Sequence, residues 1–181
     1  MRYLSSRHYG GWAIYPDEGS SYLTIENNIC YATSENIFHQ HYGSMNTVRN
    51  NIFAFSRHTP IRISRAEMHR SCIFENNIVV GENVPMFGNT NQGKVNYCFM
   101  GTKNLYFDYG REKLHMVKTN DGMTLNFEEF VKKYAVDFDS VVADPLFEDA
   151  ENYNFKLSEK SPAISLGFVP FELKDVGIRR N

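Results

Sequence analysis

The stretch Ile-Glu-Asn-Asn-Ile at residues 25–29 is followed by two close copies, Val-Arg-Asn-Asn-Ile at 48–52 and Phe-Glu-Asn-Asn-Ile at 74–78. The second asparagine of each copy, at positions 28, 51 and 77, marks steps of 23 and 26 residues, and a weaker copy around Asn104 follows 27 residues later. Such a period, carried by short β-branched and aromatic segments without helical periodicity, is typical of parallel strands that stack repeat upon repeat. Leucine-rich repeats have a comparable period, but their leucine framework is absent here.

Equivalent positions in the copies predict how the repeats stack. The first and last apolar residues of each copy form two columns suited to a core, and a charged column between them alternates in sign, worth roughly 0.2–1 kcal/mol per opposite pair. The asparagines suit a corner, because asparagine tolerates left-handed backbone, and their amides can bond across the ~4.8 Å strand spacing. The core columns are Ile25, Val48 and Phe74, and Ile29, Ile52 and Ile78; the charged column is Glu26, Arg49 and Glu75.

These features predict an all-β fold, a right-handed parallel β-helix (solenoid) with a short C-terminal helix and a capping segment. We expect residues 1–110 to form the rungs of the β-helix, and residues 111–181 to form the C-terminal helix and capping rung of the same domain. Asn126 and Glu129 have the spacing of a capping box. The apolar helix face that follows consists of Phe127, Phe130, Val131 and Tyr134.

The N-terminal edge of the predicted solenoid shows no comparable cap. Strand-like sequence begins near Trp12, and an uncovered strand edge invites pairing with another strand. We therefore expect this chain either to be the C-terminal part of a longer solenoid with further rungs upstream, or to self-associate through the open N-terminal edge.

Composition excludes several classes of protein. Nineteen basic and 21 acidic side chains leave a formal net charge of −2, which argues against general nucleic-acid binding, and no apolar run reaches the ~20 residues of a membrane helix. Three distant cysteines, Cys30, Cys72 and Cys98, predict neither a disulfide framework nor a zinc site and suit small buried residues. The first residues lack the apolar core of a signal peptide. This absence fits either a cytosolic protein or a secreted protein whose beginning is missing.

A second alignment brings chemically active side chains together. Residues 14–19, Ile-Tyr-Pro-Asp-Glu-Gly, match residues 38–43, Phe-His-Gln-His-Tyr-Gly, at a step of 24 residues. Strand alternation then points four side chains outward on one face, and the next rung, at residues 61–64, adds two more in the same columns. The outward set is Tyr15, Asp17, His39 and His41, extended by Arg62 and Ser64.

This outward patch predicts proton-transfer chemistry. A carboxylate beside a histidine orients the ring and raises its pKa, so Asp17 and His41 form a candidate acid–base pair. Glycoside hydrolysis uses two carboxyl groups roughly 5–9.5 Å apart. Glu18 adjoins Asp17 but is expected to face the turn, Glu67 would reach the site only if its loop folds back, and a partner could also lie upstream of Met1.

Other interpretations of the same residues remain open. The patch could be a solvated strand face with hydrogen-bonded histidines, and His39, His41 and Asp17 also form the donor set of a two-histidine, one-carboxylate metal site. That signal is weak, so neither a metal nor another cofactor is expected. Trp12 could stack on a sugar, but it shares the inward parity of Ile14 and is better interpreted as a core residue.

Residues 10–21, 38–43 and 48–53, with the tail segments 140–147 and 161–163, resemble bacterial right-handed parallel β-helix proteins. Many of these are glycoside hydrolases of the fucosidase and xylanase type. The resemblance implies an acidic catalytic residue at Asp17 and active-site groups at His39 and His41. It also implies a longer, secreted or periplasmic full-length protein that carries a signal peptide.

The expected function is therefore that of a carbohydrate-active protein, a glycoside hydrolase or its C-terminal portion, acting on plant or host polysaccharide or oligosaccharide. Two alternatives are a polysaccharide lyase, which needs a base and a cation for a uronate carboxylate, and a non-catalytic glycan-binding or structural solenoid. No nucleic acid or membrane is expected as a partner. The candidate catalytic residues are Asp17, His41 and Glu18, and the candidate substrate-binding residues are Tyr15, His39, Tyr42 and Arg62.

Overall fold

The structure is a computed structural model that describes residues 10–88 and 99–172. Its secondary structure is mostly short strands, with two short α-helices and a single 3₁₀ turn, Ala150–Asn152, within those ranges. None of the described helices is long and apolar enough to cross a membrane. The strands are β1 (Thr24–Glu26), β2 (Ile29–Tyr31), β3 (Phe38–His41), β4 (Asn46–Arg49), β5 (Ile52–Ala54), β6 (Ile61–Ser64), β7 (Cys72–Glu75), β8 (Ile78–Gly81), β9 (Phe99–Thr102), β10 (Leu105–Asp108), β11 (Val117–Lys118), β12 (Thr124–Leu125), β13 (Val141–Val142), β14 (Phe147–Asp149) and β15 (Asn154–Leu157); the helices are α1 (Phe127–Tyr134) and α2 (Pro162–Leu166).

Two parallel sheets carry the repeated Asn-Asn segments. The first sheet has the order β1-β4-β7-β9, and the second has the order β13-β10-β8-β5-β2. The predicted register of these copies is confirmed, because Ile25 pairs with Val48 and Val48 with Phe74. The charged column is also present: Nε of Arg49 lies 2.6 Å from Oε2 of Glu26. In the second sheet the aligned positions are Ile29, Ile52, Ile78, Leu105 and Val141.

The asparagine ladder forms at the corner between these two sheets. The side-chain amides of Asn28, Asn51 and Asn77 donate to the next asparagine in turn, ending on Asn104, with N···O distances of 2.9, 3.0 and 3.3 Å. The side chain of Asn104 then donates to the buried carboxylate of Asp137 at 2.9 Å. Burial raises the pKa of Asp137, an effect opposed by the hydrogen bonds that its carboxylate accepts. The preceding asparagine or lysine of each copy has positive φ: Asn27, Asn50, Asn76 and Lys103.

The prediction of a right-handed parallel β-helix is wrong as stated. The described strands form five separate sheets, none of them closed, and two of these sheets, β11–β12 and β14–β15, are antiparallel pairs. The third face of the repeats has one two-stranded parallel sheet, β3–β6, which is extended only by isolated bridges. Prolines at positions 16, 60 and 85 lie on this face and supply no backbone N–H, which shortens its strands.

Two cores lie on opposite faces of the second sheet. Phe53, Val79 and Tyr106 point into the core that the repeats enclose, where Phe53 lies 6.2 Å from Phe38 between ring centroids. The alternating residues, such as Ile52 and Ile78, point the other way, into a second core. The predicted Ile29 column is therefore buried outside the repeats, under the C-terminal segment. The covering residues include Ala150, Phe155, Ala163 and Phe168.

The C-terminal helix is confirmed, together with its capping box. Asn126 accepts a hydrogen bond from the backbone of Glu129, whose carboxylate accepts one from the backbone of Asn126. Phe130 is buried against Phe87, with ring centroids 5.2 Å apart, and Tyr134 is also buried. Among the predicted cysteine positions, Cys30 and Cys72 are free thiols, and Cys98 lies outside the described residues.

Candidate functional site

The predicted site lies on the third face of the repeats, where parallel pairing sets neighbours. Backbone N–H groups of His39 and His41 donate to the carbonyl oxygens of Ile14 and Pro16, which places Tyr15 beside His39 and Asp17 beside His41. Strand β6 continues the columns, since His39 pairs with Arg62 and His41 pairs with Ser64. The register predicted for the outward face is thus the observed one.

Asp17, Glu18 and His41 converge at the centre of this face. One ligand-type atom of each side chain lies within 4.8 Å of those of the other two. Asp17 is partly buried, and its Oδ1 atom is inaccessible to water and accepts no hydrogen bond among the described residues. Glu18 was expected to face the turn, and its exposed carboxylate indeed accepts a hydrogen bond from the hydroxyl of Tyr42 at the neighbouring corner, at 2.7 Å.

Ser64 joins the two histidines. Its Oγ atom lies 2.7 Å from Nε2 of His39 and 2.8 Å from Nδ1 of His41. A hydroxyl has one proton to donate, so one imidazole accepts that proton while the other donates its own N–H to the oxygen. Ser64 was aligned with this column by sequence, but its bridging role required side-chain positions that only the fold supplies.

His39 is enclosed, with only 4% of its surface exposed. Burial is the main cause that lowers the pKa of His39 to about 4, assisted by the positive charges of Arg62 and His41 and opposed by Asp17. The ring is therefore neutral near pH 7. His39 was predicted to contact substrate, but in this structure it lies beneath other rings and supports the site through Ser64.

An aromatic shelf covers His39. Trp12 and Tyr15 lie with ring centroids 4.3 Å apart, and their centroids are 5.0 and 4.8 Å from that of His39. Trp12 was predicted to be a core residue from the parity of Ile14, yet it packs on this outer shelf. Parity fails because Ile14 forms only an isolated bridge, preceded by a glycine at position 11 with a φ of 98°.

The strand ends build a second column of side chains. Glu18, Tyr42 and Arg65 occupy equivalent corner positions and all have left-handed backbone, with φ of 47°, 27° and 52°. The guanidinium of Arg65 lies 4.5 Å above the ring of Tyr42, within cation–π range. The hydrogen bond to Glu18 is the main cause that raises the pKa of Tyr42. Arg65 was missed from the sequence, although its step of 23 residues from Tyr42 would have indicated it.

Other predicted residues occupy less central positions. Arg62 is exposed beside His39, at the outer side of the site. Glu67 lies 3.6 Å from Nδ1 of His69, whose Nε2 lies 3.0 Å from the backbone carbonyl of Gly43. Glu67 therefore has a histidine partner at the loop that follows β6, whereas the carboxylate that meets Asp17 is that of Glu18.

The convergent cluster has the donors that a metal ion could use. Two carboxylates and one imidazole suit a divalent transition ion better than calcium, which prefers oxygen ligands alone. The set differs from the predicted one, because Glu18 replaces His39. His39 is buried, and its Nε2 already contacts Ser64.

Comparisons with known proteins identify no relative from which a function could be inferred. No family model matches the chain, and no curated protein or solved structure matches it either. The function is therefore inferred from the residues of the site and their arrangement.

Proposed function

We propose that this chain is a carbohydrate-active protein, a glycoside hydrolase that cleaves polysaccharide or oligosaccharide at Asp17, Glu18 and His41. The observation that carries the proposal is the convergence of these two carboxylates and one imidazole within 4.8 Å, beside an aromatic shelf. Glycosidic bonds are commonly cleaved by a pair of carboxyl groups, and sugar rings commonly lie against aromatic faces.

The two carboxylates differ in exposure and in hydrogen bonding, which suits them to different roles. Tyr42 holds the exposed carboxylate of Glu18 by a hydrogen bond, which fixes its position for attack on a sugar carbon. Asp17 is partly buried, with its Oδ1 atom shielded from water, and we assign its carboxyl group the exchange of a proton with the glycosidic oxygen. The imidazole of His41 lies within 4.8 Å of the Asp17 carboxylate, and Ser64 holds that imidazole by a hydrogen bond.

The spacing of the carboxylates favours one stereochemical outcome. One oxygen of each carboxylate lies within 4.8 Å of one oxygen of the other, which is shorter than the roughly 6.5–9.5 Å that leaves room for water in inverting enzymes; retaining enzymes hold their carboxyl groups roughly 5–5.5 Å apart. We therefore expect a covalent glycosyl-enzyme intermediate and retention of configuration at the anomeric carbon.

The shelf of Trp12 and Tyr15 explains how a sugar would be held. Aromatic rings provide a flat apolar surface for the C–H face of a sugar ring, while neighbouring polar groups orient its hydroxyls. Tyr15 lies next to His41, with ring centroids 6.4 Å apart, so a sugar stacked on Tyr15 would lie close to the catalytic cluster.

The test is to incubate the chain with a panel of plant and host oligosaccharides and to measure cleavage as the appearance of new reducing ends. Asp17→Asn and Glu18→Gln should each lower kcat/KM by about 10²–10⁴-fold, because each removes one of the two carboxyl functions. Glu128→Gln, on the exposed side of α1, is the matched control and should leave the rate unchanged. Unchanged cleavage by Asp17→Asn would refute the assignment, and an unsaturated uronide product would show elimination in place of hydrolysis.

A further inference from the structure

The site is bordered by a cation that has no acidic partner among the described residues. Arg62 is exposed and lies in register beside His39, and its positive charge acts on the His39 ring. Among residues 10–88 and 99–172, its guanidinium makes neither an ion pair nor a hydrogen bond. Three cations elsewhere in the described residues have acidic partners: Arg49 with Glu26, Arg111 with Asp108 and Lys156 with Glu148. An unpaired arginine next to a binding face is a ready partner for an anionic ligand.

Arg65 adds a second cation at the adjacent corner. It is exposed and lies over the ring of Tyr42, which also touches Glu18 by a hydrogen bond. This contact holds the guanidinium near the carboxylate cluster without neutralising its charge, because the aromatic ring carries none. Arg62 and Arg65 therefore present two positive charges on one side of Asp17 and Glu18.

The local charge contrasts with that of the whole chain. Residues 57–70 contain four arginines and a single acidic residue, Glu67, which lies beside His69, whereas the chain as a whole has a formal net charge of −2. Of these four arginines, Arg62 lies on β6 and Arg65 at the corner that follows it, so two positive charges flank the cluster. Two carboxylates on the same face would repel a dense polyanion such as nucleic acid, so the pattern suits a ligand with isolated negative groups.

We infer that the glycan is anionic, and that Arg62, assisted by Arg65, binds a carboxylate or sulfate group of the sugar next to the Asp17–Glu18–His41 cluster. This inference rests on the proposed function. A guanidinium pairs with a carboxylate or sulfate through two parallel N–H···O bonds, which fixes the orientation of the sugar as well as its affinity. A neutral sugar of the same shape leaves both guanidinium groups without an anionic partner.

The test is binding, measured by calorimetry with Asp17→Asn so that no cleavage occurs. The probes are an oligogalacturonate, its methyl ester of equal length, and a sulfated oligosaccharide. The oligogalacturonate or the sulfated sugar should bind at least about tenfold more tightly than the neutral ester, with an advantage that falls as salt rises. Preference between the two anionic probes identifies the charged group.

Variants distinguish the effect of the arginine charges on binding from a general effect on folding. Added to Asp17→Asn, Arg62→Gln should remove most of the advantage of the charged sugar and leave binding of the neutral ester unchanged, while Arg62→Lys should keep part of it. Arg49→Gln, which removes a paired arginine elsewhere, is the control and should bind as its parent does. Equal binding of charged and neutral probes overturns the anionic assignment and leaves the proposed function standing. Failure to bind any probe or other glycan overturns both.

Discussion

The Oγ atom of Ser64 lies 2.8 Å from Nδ1 of His41. This contact holds the ring at the position where it meets Asp17 and Glu18, and it leaves Nε2 without a hydrogen bond among the described residues. The same oxygen is 2.7 Å from Nε2 of the buried His39, so a single serine couples an enclosed imidazole to an accessible one.

Ser64→Ala should therefore misplace His41 without removing any ionisable group. Under the proposed function, in which His41 positions the acid–base carboxylate and does not hold the sugar, we expect kcat on a cleaved oligosaccharide to fall by about tenfold or more with KM little changed. Steady-state kinetics measure both constants. Ser44→Ala is a serine control away from the two histidines, and a Ser64→Ala variant with the kcat of the original chain would show that the bridge has no positioning role.

The pH dependence of stability should reveal the burial of His39. Its pKa is lowered from 6.5 to about 4 in the folded chain, so the folded state favours the neutral ring. The contribution of His39 to the free energy of unfolding should be complete above pH 6.5 and should decline as the pH falls towards 4. In that range the histidine of the unfolded chain binds a proton, whereas the buried ring of the folded chain does not. The expected loss is on the order of a few kcal/mol, because one unit of pKa difference between the folded and unfolded chain corresponds to about 1.4 kcal/mol.

Denaturant unfolding at a series of pH values tests this assignment. His39→Gln should flatten the decline between pH 6.5 and 4, whereas the exposed His58→Gln should retain the slope of the original chain. The comparison uses slopes, because His39→Gln also alters packing under Trp12 and Tyr15. Equal slopes for His39→Gln and the original chain would contradict the burial of a neutral ring.

The asparagines of the ladder should contribute unequally to the free energy of unfolding. Asn77 is buried; its amide donates to Val48 and Asn104, and its oxygen accepts from Asn51. Asn77→Ala leaves several buried polar groups without partners and should lower the free energy of unfolding by about 2–4 kcal/mol. Asn28→Ala, at the partly exposed first position of the ladder, should cost about 1 kcal/mol. Denaturant unfolding measures both, and equal losses would mean that the ladder does not depend on burial.

Local repetition explains which parts of the fold could be predicted. Equivalent residues of successive copies must be neighbours once strands pair in parallel, so the Ile25–Val48–Phe74 column, the Glu26–Arg49 pair and the ladder followed from spacing alone. The capping box at Asn126 is likewise a contact within four residues. The closed solenoid did not follow, because it requires every face of every repeat to remain regular, and prolines interrupt the third face.

The sequence by itself determined the spacing that brings Tyr15, Asp17, His39 and His41 to one face, since register follows from the period. Only the tertiary structure decided that His39 is buried, that Trp12 joins Tyr15, and that Glu18 meets His41. These outcomes depend on backbone turns with positive φ at Glu18, Tyr42 and Arg65 and on side-chain packing between repeats. Within a strand, alternation predicts the face to which each side chain points. Beyond the end of the strand, the backbone conformation of the corner sets that direction.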